Sequence, residues 1–316
     1  MNVLQGKKVV VTGGAGFVGS HLVEVLVHQG ASVVVVDNLS TGTLDNLAPV
    51  MASINFLEGD INSRDILDTA MRGATYVVHM AAFVSVPGSM ALPLESHTTN
   101  VTGTLAVLDA ARRAKVSRFI YISSSAVYGS TADLPAHEDA PHAPESPYAA
   151  QKSMGETYTH LMGGLWGMET VRLRPFNIYG PRQNPEGGYA AVIPKFASSM
   201  ARGTRPVIYG DGKVTRDFIY VSDAVDAIAL SLVAPDISGG VFNIASGTEV
   251  SIADLVRTIN GIVGTTLEPQ YEPAREGDIL RSVADIRRAK EGLGFLASTP
   301  LKTGLTKTIE SFSQRV

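Results

Sequence analysis

From residue 7 to residue 174 the chain alternates short β-branched runs with longer stretches of helical period. Residues 8–12, 32–36, 55–58, 75–79, 119–122 and 170–173 read as strands. Between them, 17–29, 64–71, 94–114 and 147–165 read as helices. Strands that recur with a helix between them predict an α/β fold, a doubly wound parallel sheet of about six strands covered on both faces.

Beyond Pro175 the rhythm loosens into a stretch rich in proline and glycine, 180–188, then a helix near 189–201 and less regular pieces. The expected organisation is a large domain over 1–175 and a smaller α/β domain over 176–316. Residues 214–234, a strand and then a helix, suit a return to the large sheet, so about 214–245 are expected to join the first domain.

Charge narrows the partners. Lysine and arginine total 26 against 30 acidic residues, which gives no general attraction for nucleic acid or an anionic membrane. An anion site has to be local. The chain has no cysteine, which removes disulfides, thiolate metal sites and cysteine nucleophiles together and fits a reducing compartment, so cytoplasm is expected. The first residues run straight into a strand without a signal-peptide pattern, and no apolar stretch is long enough to span a bilayer.

Where the first strand meets the first helix, Gly13, Gly16 and Gly19 stand three residues apart. Such a triplet serves a tight turn, close approach of backbone to a pyrophosphate and close helix–sheet packing, the fingerprint of a Rossmann dinucleotide site. A glycine triplet alone often serves geometry only, but here strand, glycines, helix and a downstream acid occur in order. The acid, Asp37, ends the second strand. There it accepts hydrogen bonds from ribose hydroxyls and repels a ribose phosphate, which favours NAD over NADP. Asp60, after the third strand, suits an adenine contact, and a helix cap by Asn62 or Ser63 is as natural there.

Tyr148 and Lys152 lie four residues apart on one helix face. Upstream, Ser123, Ser124 and Ser125 follow a strand, where ligands of such sheets bind. A phenol of free pKa about 10 becomes a useful base at neutral pH only if shifted by roughly three units, about 4 kcal/mol. A lysine ammonium some 5 to 6 Å away supplies roughly 3 kcal/mol at an effective dielectric near 20. The positive nicotinamide ring of oxidised cofactor is the expected second charge. Ser124 is taken as the hydroxyl that meets the reacting oxygen, with Ser123 and Ser125 as alternatives.

These motifs together resemble the extended short-chain dehydrogenase/reductase superfamily, and more closely the UDP-sugar 4-epimerases, particularly those acting on N-acetylated hexosamines. The likeness covers nearly the whole chain, including 12–19, 79–82, 123–129, 174–183, 210–212, 216–221 and 275–278. It implies NAD contacts at Gly13, Gly16, Phe17, Val18, Asp37, Asn38, Asp60, Ile61, Ala81, Ala82, Tyr148, Lys152 and Pro175. It implies substrate contacts at Ser85, Ser124 and Ser125, diphosphate contacts at Asn177, Arg216 and Arg275, and a base pocket of Ala191, Val192 and Tyr209. Asp278 is expected on the uridine ribose, and Ser282 stands where enzymes restricted to plain hexoses carry a bulky tyrosine, which leaves room for an N-acetyl group.

The reaction so implied is NAD-dependent inversion at C4 of a UDP-hexose or UDP-N-acetylhexosamine through a transient 4-keto sugar, in a homodimer. Relatives that eliminate water carry an acidic pair where this chain has Ser125 and Ala126. A nucleotide-sugar dehydratase or reductase is the alternative enzyme, and a non-catalytic NAD or UDP-sugar binder the alternative of another class. Two departures stand out: the 123–129 segment is one residue shorter than in many hexose 4-epimerases, and Gly88 replaces a bulkier residue of some N-acetyl-specific relatives.

Overall fold

A computed structural model describes residues 3–130, 133–185, 191–274 and 279–313. The large sheet contains β1 (Lys8–Thr12), β2 (Ser32–Asp37), β3 (Ile54–Glu58), β4 (Tyr76–His79), β5 (Arg118–Ile122) and β6 (Glu169–Pro175). β7 (Asn177–Tyr179), β8 (Val207–Tyr209) and β9 (Thr215–Tyr220) lie outside it, and β10 (Val241–Ile244) rejoins it as a seventh strand. All neighbours pair in parallel, in the order β10, β6, β5, β4, β1, β2, β3. The central strands are buried on both faces, which is why β1 reads as an unbroken Val-Val-Val run.

Six strands were expected, and the seventh was missed because β10 is only four residues long and follows an excursion out of the sheet. β9 does not return to the large sheet. It pairs parallel with β7 and antiparallel with β11 (Glu249–Ser251), while β8 pairs with β12 (Gln270–Glu272).

Helices α1 (Phe17–His28) and α2 (Arg64–Met71) match their expected bounds closely. A short helix that was not expected, α3 (Val86–Ala91), comes first, and the helix expected over 94–114 is broken into α4 (Pro93–His97), a wide π-helical turn at Thr98–Gly103 and α5 (Thr104–Arg113). Pro93 opens α4, and the Thr-Thr-Asn-Val-Thr-Gly run consists of poor helix formers, so the side-chain contacts of Asn100 decide the local winding. α6 (Pro147–Trp166), α7 (Val192–Ala201) and α8 (Val221–Val233) follow; α9 (Ile252–Val263), α10 (Arg287–Leu293) and α11 (Leu301–Ser313) complete the chain. α8 packs on α1, β5 and β6, and α7 packs on α9 and α11. Chain order runs outward from β1 through β2 to β3, then resumes on the other side at β4. The resulting switch point lies between β1 and β4, where the carboxyl ends of the strands frame a crevice.

Candidate active site

The glycine turn closes the carboxyl end of β1. Gly13 has φ +73, and a Cβ there would lie 2.8 Å from the Ala81 backbone nitrogen, so the loop after β4 presses on it. A Cβ on Gly19 would lie 2.2 Å from the Gly13 carbonyl oxygen, which explains how α1 starts so close to the turn. Gly16 is the N-cap of α1 and offers no side chain to its free N–H groups. Phe17 and Val18 form the first helical positions, so the positive helix end opens toward the crevice.

Asp37 is buried at the end of β2. Its Oδ2 accepts from the Ala15 N–H at 2.9 Å and its Oδ1 from the Leu39 N–H at 2.8 Å. A carboxylate has about four acceptor positions, so two remain for a ligand hydroxyl. Asn46 donates to the Ala15 carbonyl at 2.9 Å and braces the turn from outside. Asn38 donates to Asp60 at 3.2 Å, and Asp60 accepts both N–H groups of Asn62. Ile61 is buried against Gly103, while Ala81, Ala82 and Pro175 are half-buried. An uncapped helix end that donates, a turn that only glycine fits and a carboxylate with spare acceptor positions are the features that a dinucleotide requires, and NAD fits them.

Beneath the loop after β4 lies His79, fully buried and pushed down to about 3, first by burial and then by the Lys152 charge. The Thr104 hydroxyl donates to the Asn100 carbonyl at 2.7 Å, so it accepts from His79 Nε2 at 3.0 Å. Nδ1 then accepts from the Thr12 hydroxyl at 2.7 Å, whose oxygen receives the Met80 and Ala81 N–H groups. Asn100 grips both backbone groups of Phe83 and donates to Gln151 at 2.8 Å. A neutral polar chain thus fixes the floor of the crevice to α6.

α6 begins at Pro147 behind Ser146, whose side chain caps Ala149. Tyr148 is therefore in the first turn, where the helix dipole favours negative charge, and only 8% of its surface is exposed. Burial pushes its phenol up from the ordinary tyrosine value, and a hydrogen bond with Ser124 pulls it back. Lys152 Nζ donates to the Ile122 carbonyl at 2.8 Å and stands 5.2 Å from the Tyr121 ring and 6.0 Å from the Tyr148 ring. Burial brings this ammonium down to about 8, and the Glu156 carboxylate opposes that change.

The three serines separate cleanly. Ser123 is buried and donates to Glu156 at 2.5 Å. Ser124 and Ser125 line a cavity of about 290 Å³ with Tyr148, Asn177, Arg216 and Ser282, and its walls include Val84, Val86, Leu134 and Phe176. Asn177 donates to the Asp217 carbonyl, and Arg216 donates to the Thr215 and Ile279 carbonyls. Asp217 itself accepts from Ser246, Gly247 and Ala284.

Other expected substrate residues lie outside that cavity wall. Ser85 caps α3 by accepting from the Gly88 N–H at 2.9 Å, and a Cβ on Gly88 would press 2.9 Å from Phe83 and Ser85. Ala191 and Val192 stand at the start of α7, and Tyr209 ends β8 opposite Glu272. Arg275 and Asp278 fall outside the described residues. Sequence reasoning overlooked Asn100, Gln151, Glu156 and the pocket-lining Arg281. For Glu156 the available signal was a second step of four residues, after the one from Tyr148 to Lys152.

Comparison with known proteins bears on this arrangement. A family model described as the NAD dependent epimerase/dehydratase family matches residues 9–245. A UDP-glucose 4-epimerase of Mycolicibacterium smegmatis is 38% identical over 98% of this chain and 99% of its own length. The solved UDP-N-acetylglucosamine 4-epimerase of Methanobrevibacter ruminantium, in complex with UDP-N-acetylmuramic acid, superposes with a TM-score of 0.95 at 38% identity, over 99% of this chain and 100% of that one. A dTDP-glucose 4,6-dehydratase of Streptomyces niveus is 34% identical over 96% of this chain and 92% of its own length.

Proposed function

This chain belongs to the NAD dependent epimerase/dehydratase family, and from that premise we propose that it inverts the C4 hydroxyl of a UDP-hexose or UDP-N-acetylhexosamine. The observation that carries this reading is the placement of Ser124 and Tyr148 at one cavity with the Lys152 ammonium 6.0 Å from the Tyr148 ring, and with Ser125 and Ala126 beside them where a dehydrating site needs an acid and a base.

NAD, held at the glycine turn, the α1 end and Asp37, supplies a hydride acceptor and donor. Tyr148 takes the proton from the C4 hydroxyl and later returns it. Ser124 holds the reacting oxygen, and the Lys152 charge favours the phenolate. Asn177 and Arg216 receive the diphosphate, with Arg275 in the same role, while Asp278 serves the uridine ribose and Ala191, Val192 and Tyr209 the uracil. Ser282 lines the cavity with a small side chain and leaves space for an N-acetyl group, so both substrate classes are accepted.

NMR of UDP-glucose and UDP-N-acetylglucosamine incubated with purified protein and no added cofactor tests this directly. Galacto isomers are expected, and Tyr148→Phe is expected to retain binding and lose turnover. A dehydrated or reduced product supports the dehydratase or reductase reading instead, and unchanged turnover in Tyr148→Phe removes the assigned base.

Leu94, Leu161 and Leu165 are among the exposed apolar residues of α4 and α6. We infer that this face pairs with a second copy in a homodimer. Sedimentation of the wild type is expected to give a dimer, with Leu161→Glu/Leu165→Glu shifting it to monomer; a wild-type monomer at working concentration refutes the pairing.

A further inference from the structure

We propose that Glu156 is a positioning residue of the proton-transfer site: its carboxylate fixes the serine loop relative to Tyr148 and sets a negative charge one helical turn beyond Lys152. The role rests on the 4-epimerase reading. Tyr148, Lys152 and Glu156 follow at four-residue steps, so they lie along one face of α6. Glu156 is 1% exposed, and its oxygens are engaged by groups from three other segments. Oε1 accepts from the Ser123 hydroxyl at 2.5 Å and from Arg174 Nε at 2.8 Å. Oε2 accepts from Arg174 Nη2 at 2.7 Å and lies 3.5 Å from His142 Nε2.

Arg174 carries the link onward. Its Nη1 donates to the Tyr128 hydroxyl at 2.9 Å and to the Glu138 carbonyl at 3.1 Å. The carboxylate and guanidinium therefore grip Ser123 and Tyr128, the two ends of the segment whose middle residues, Ser124 and Ser125, face the cavity. A well-packed apolar pair often stabilises a fold as well as a buried ion pair does. What such a pair cannot supply is a directed bond at Ser123 and a negative charge one helical turn from Lys152. The titratable groups around Lys152 are Tyr148 and Glu156 on its own helix, Tyr121 on β5 and His79 on β4; Arg172 and Arg174 on β6 and His142 face Glu156.

The test compares Glu156→Gln and Ser123→Ala with the wild type in the NAD-loaded protein. NAD content and thermal melting report folding. The kcat and KM for both UDP-sugars are followed across pH, and tyrosinate absorbance is titrated with Tyr148→Phe as the blank. Both variants are expected to keep NAD and a KM within about twofold. Glu156→Gln is expected to lose about tenfold or more in kcat, equivalent to about 1.4 kcal/mol, with the Tyr148 phenol titrating at higher pH. Ser123→Ala is expected to lose severalfold in kcat without a shift in that titration.

Wild-type kcat and an unmoved phenol in folded Glu156→Gln overturn the proposal, as does a loss of kcat that runs in parallel with lost NAD and raised KM. If Glu156→Gln does not fold, Ser123→Ala decides, and a wild-type kcat there overturns the positioning role. A wild type that converts neither sugar refutes the 4-epimerase reading, while the phenol titration still decides the part played by Glu156.

Discussion

Replacing Lys152 by methionine keeps the length of the side chain and removes its charge, so it isolates the ammonium's effect on the phenol. Lys152 Nζ lies 6.0 Å from the centre of the Tyr148 ring. At an effective dielectric of about 20, a unit charge at that distance is worth about 2.8 kcal/mol to a phenolate. That energy corresponds to about two pKa units, hence about a hundredfold less phenolate at neutral pH.

The pH dependence of the two proteins diverges above about pH 8. In the wild type, Lys152 titrates at about 8, so raising the pH past that point discharges the group that supports the phenolate. The rate is expected to stop rising there. In Lys152→Met no such group is lost, and kcat is expected to start about a hundredfold lower and climb about tenfold per pH unit to beyond pH 9. The assay is kcat from pH 6.5 to 10 by NMR, with NAD content measured at each pH to separate lost cofactor from a lost base. A methionine variant whose profile has the wild-type shape, merely lowered by a constant factor, refutes the electrostatic account of Tyr148.

Gly19→Ala puts a Cβ against three backbone atoms, so it is expected to cost about 1–3 kcal/mol and to lower both Tm and NAD retention; Gly164→Ala, also within a helix but with open space around it, serves as the control for helix propensity. Equal melting of the two variants refutes the close contact at Gly13. Because folded His79 titrates at about 3, below its unfolded value near 6.5, its stabilising contribution is complete above about pH 6.5 and is lost as the pH falls toward 3. Between pH 7.5 and 5.0 the wild type is expected to lose about 2 kcal/mol more stability in urea than His79→Gln, and equal losses refute a buried neutral ring.

The parts of this molecule that were legible beforehand are those encoded by neighbours in sequence. β1, the glycine turn and Asp37 fall within thirty residues of one another, and Tyr148 and Lys152 share one helix. Distant pairings were not legible. Asn100 meets Gln151 across 51 positions, Tyr128 meets Asn243 across 115, and neither polar residue advertises that its partner is buried with it. The serine ambiguity had the same origin, because three identical side chains differ only in what lies opposite them, and Glu156 occupies Ser123. The π-helical turn escaped notice because 94–114 carries enough apolar period to read as one helix. Its irregularity comes from Asn100 holding Phe83, a contact with another segment.

The return of β10 to pair with β6 has a consequence for synthesis. When a ribosome has completed β6 at Pro175, that strand is still the open rim of a nascent sheet, and its partner is encoded 66 residues later, at Val241. At translation rates of about 5–20 residues per second the rim stays unpaired for several seconds. In that interval it is a template for other strands, including those of neighbouring nascent chains. Slower elongation through the small sheet lengthens the exposure, so the yield of native protein is tied to how fast the segment between the two strands is made.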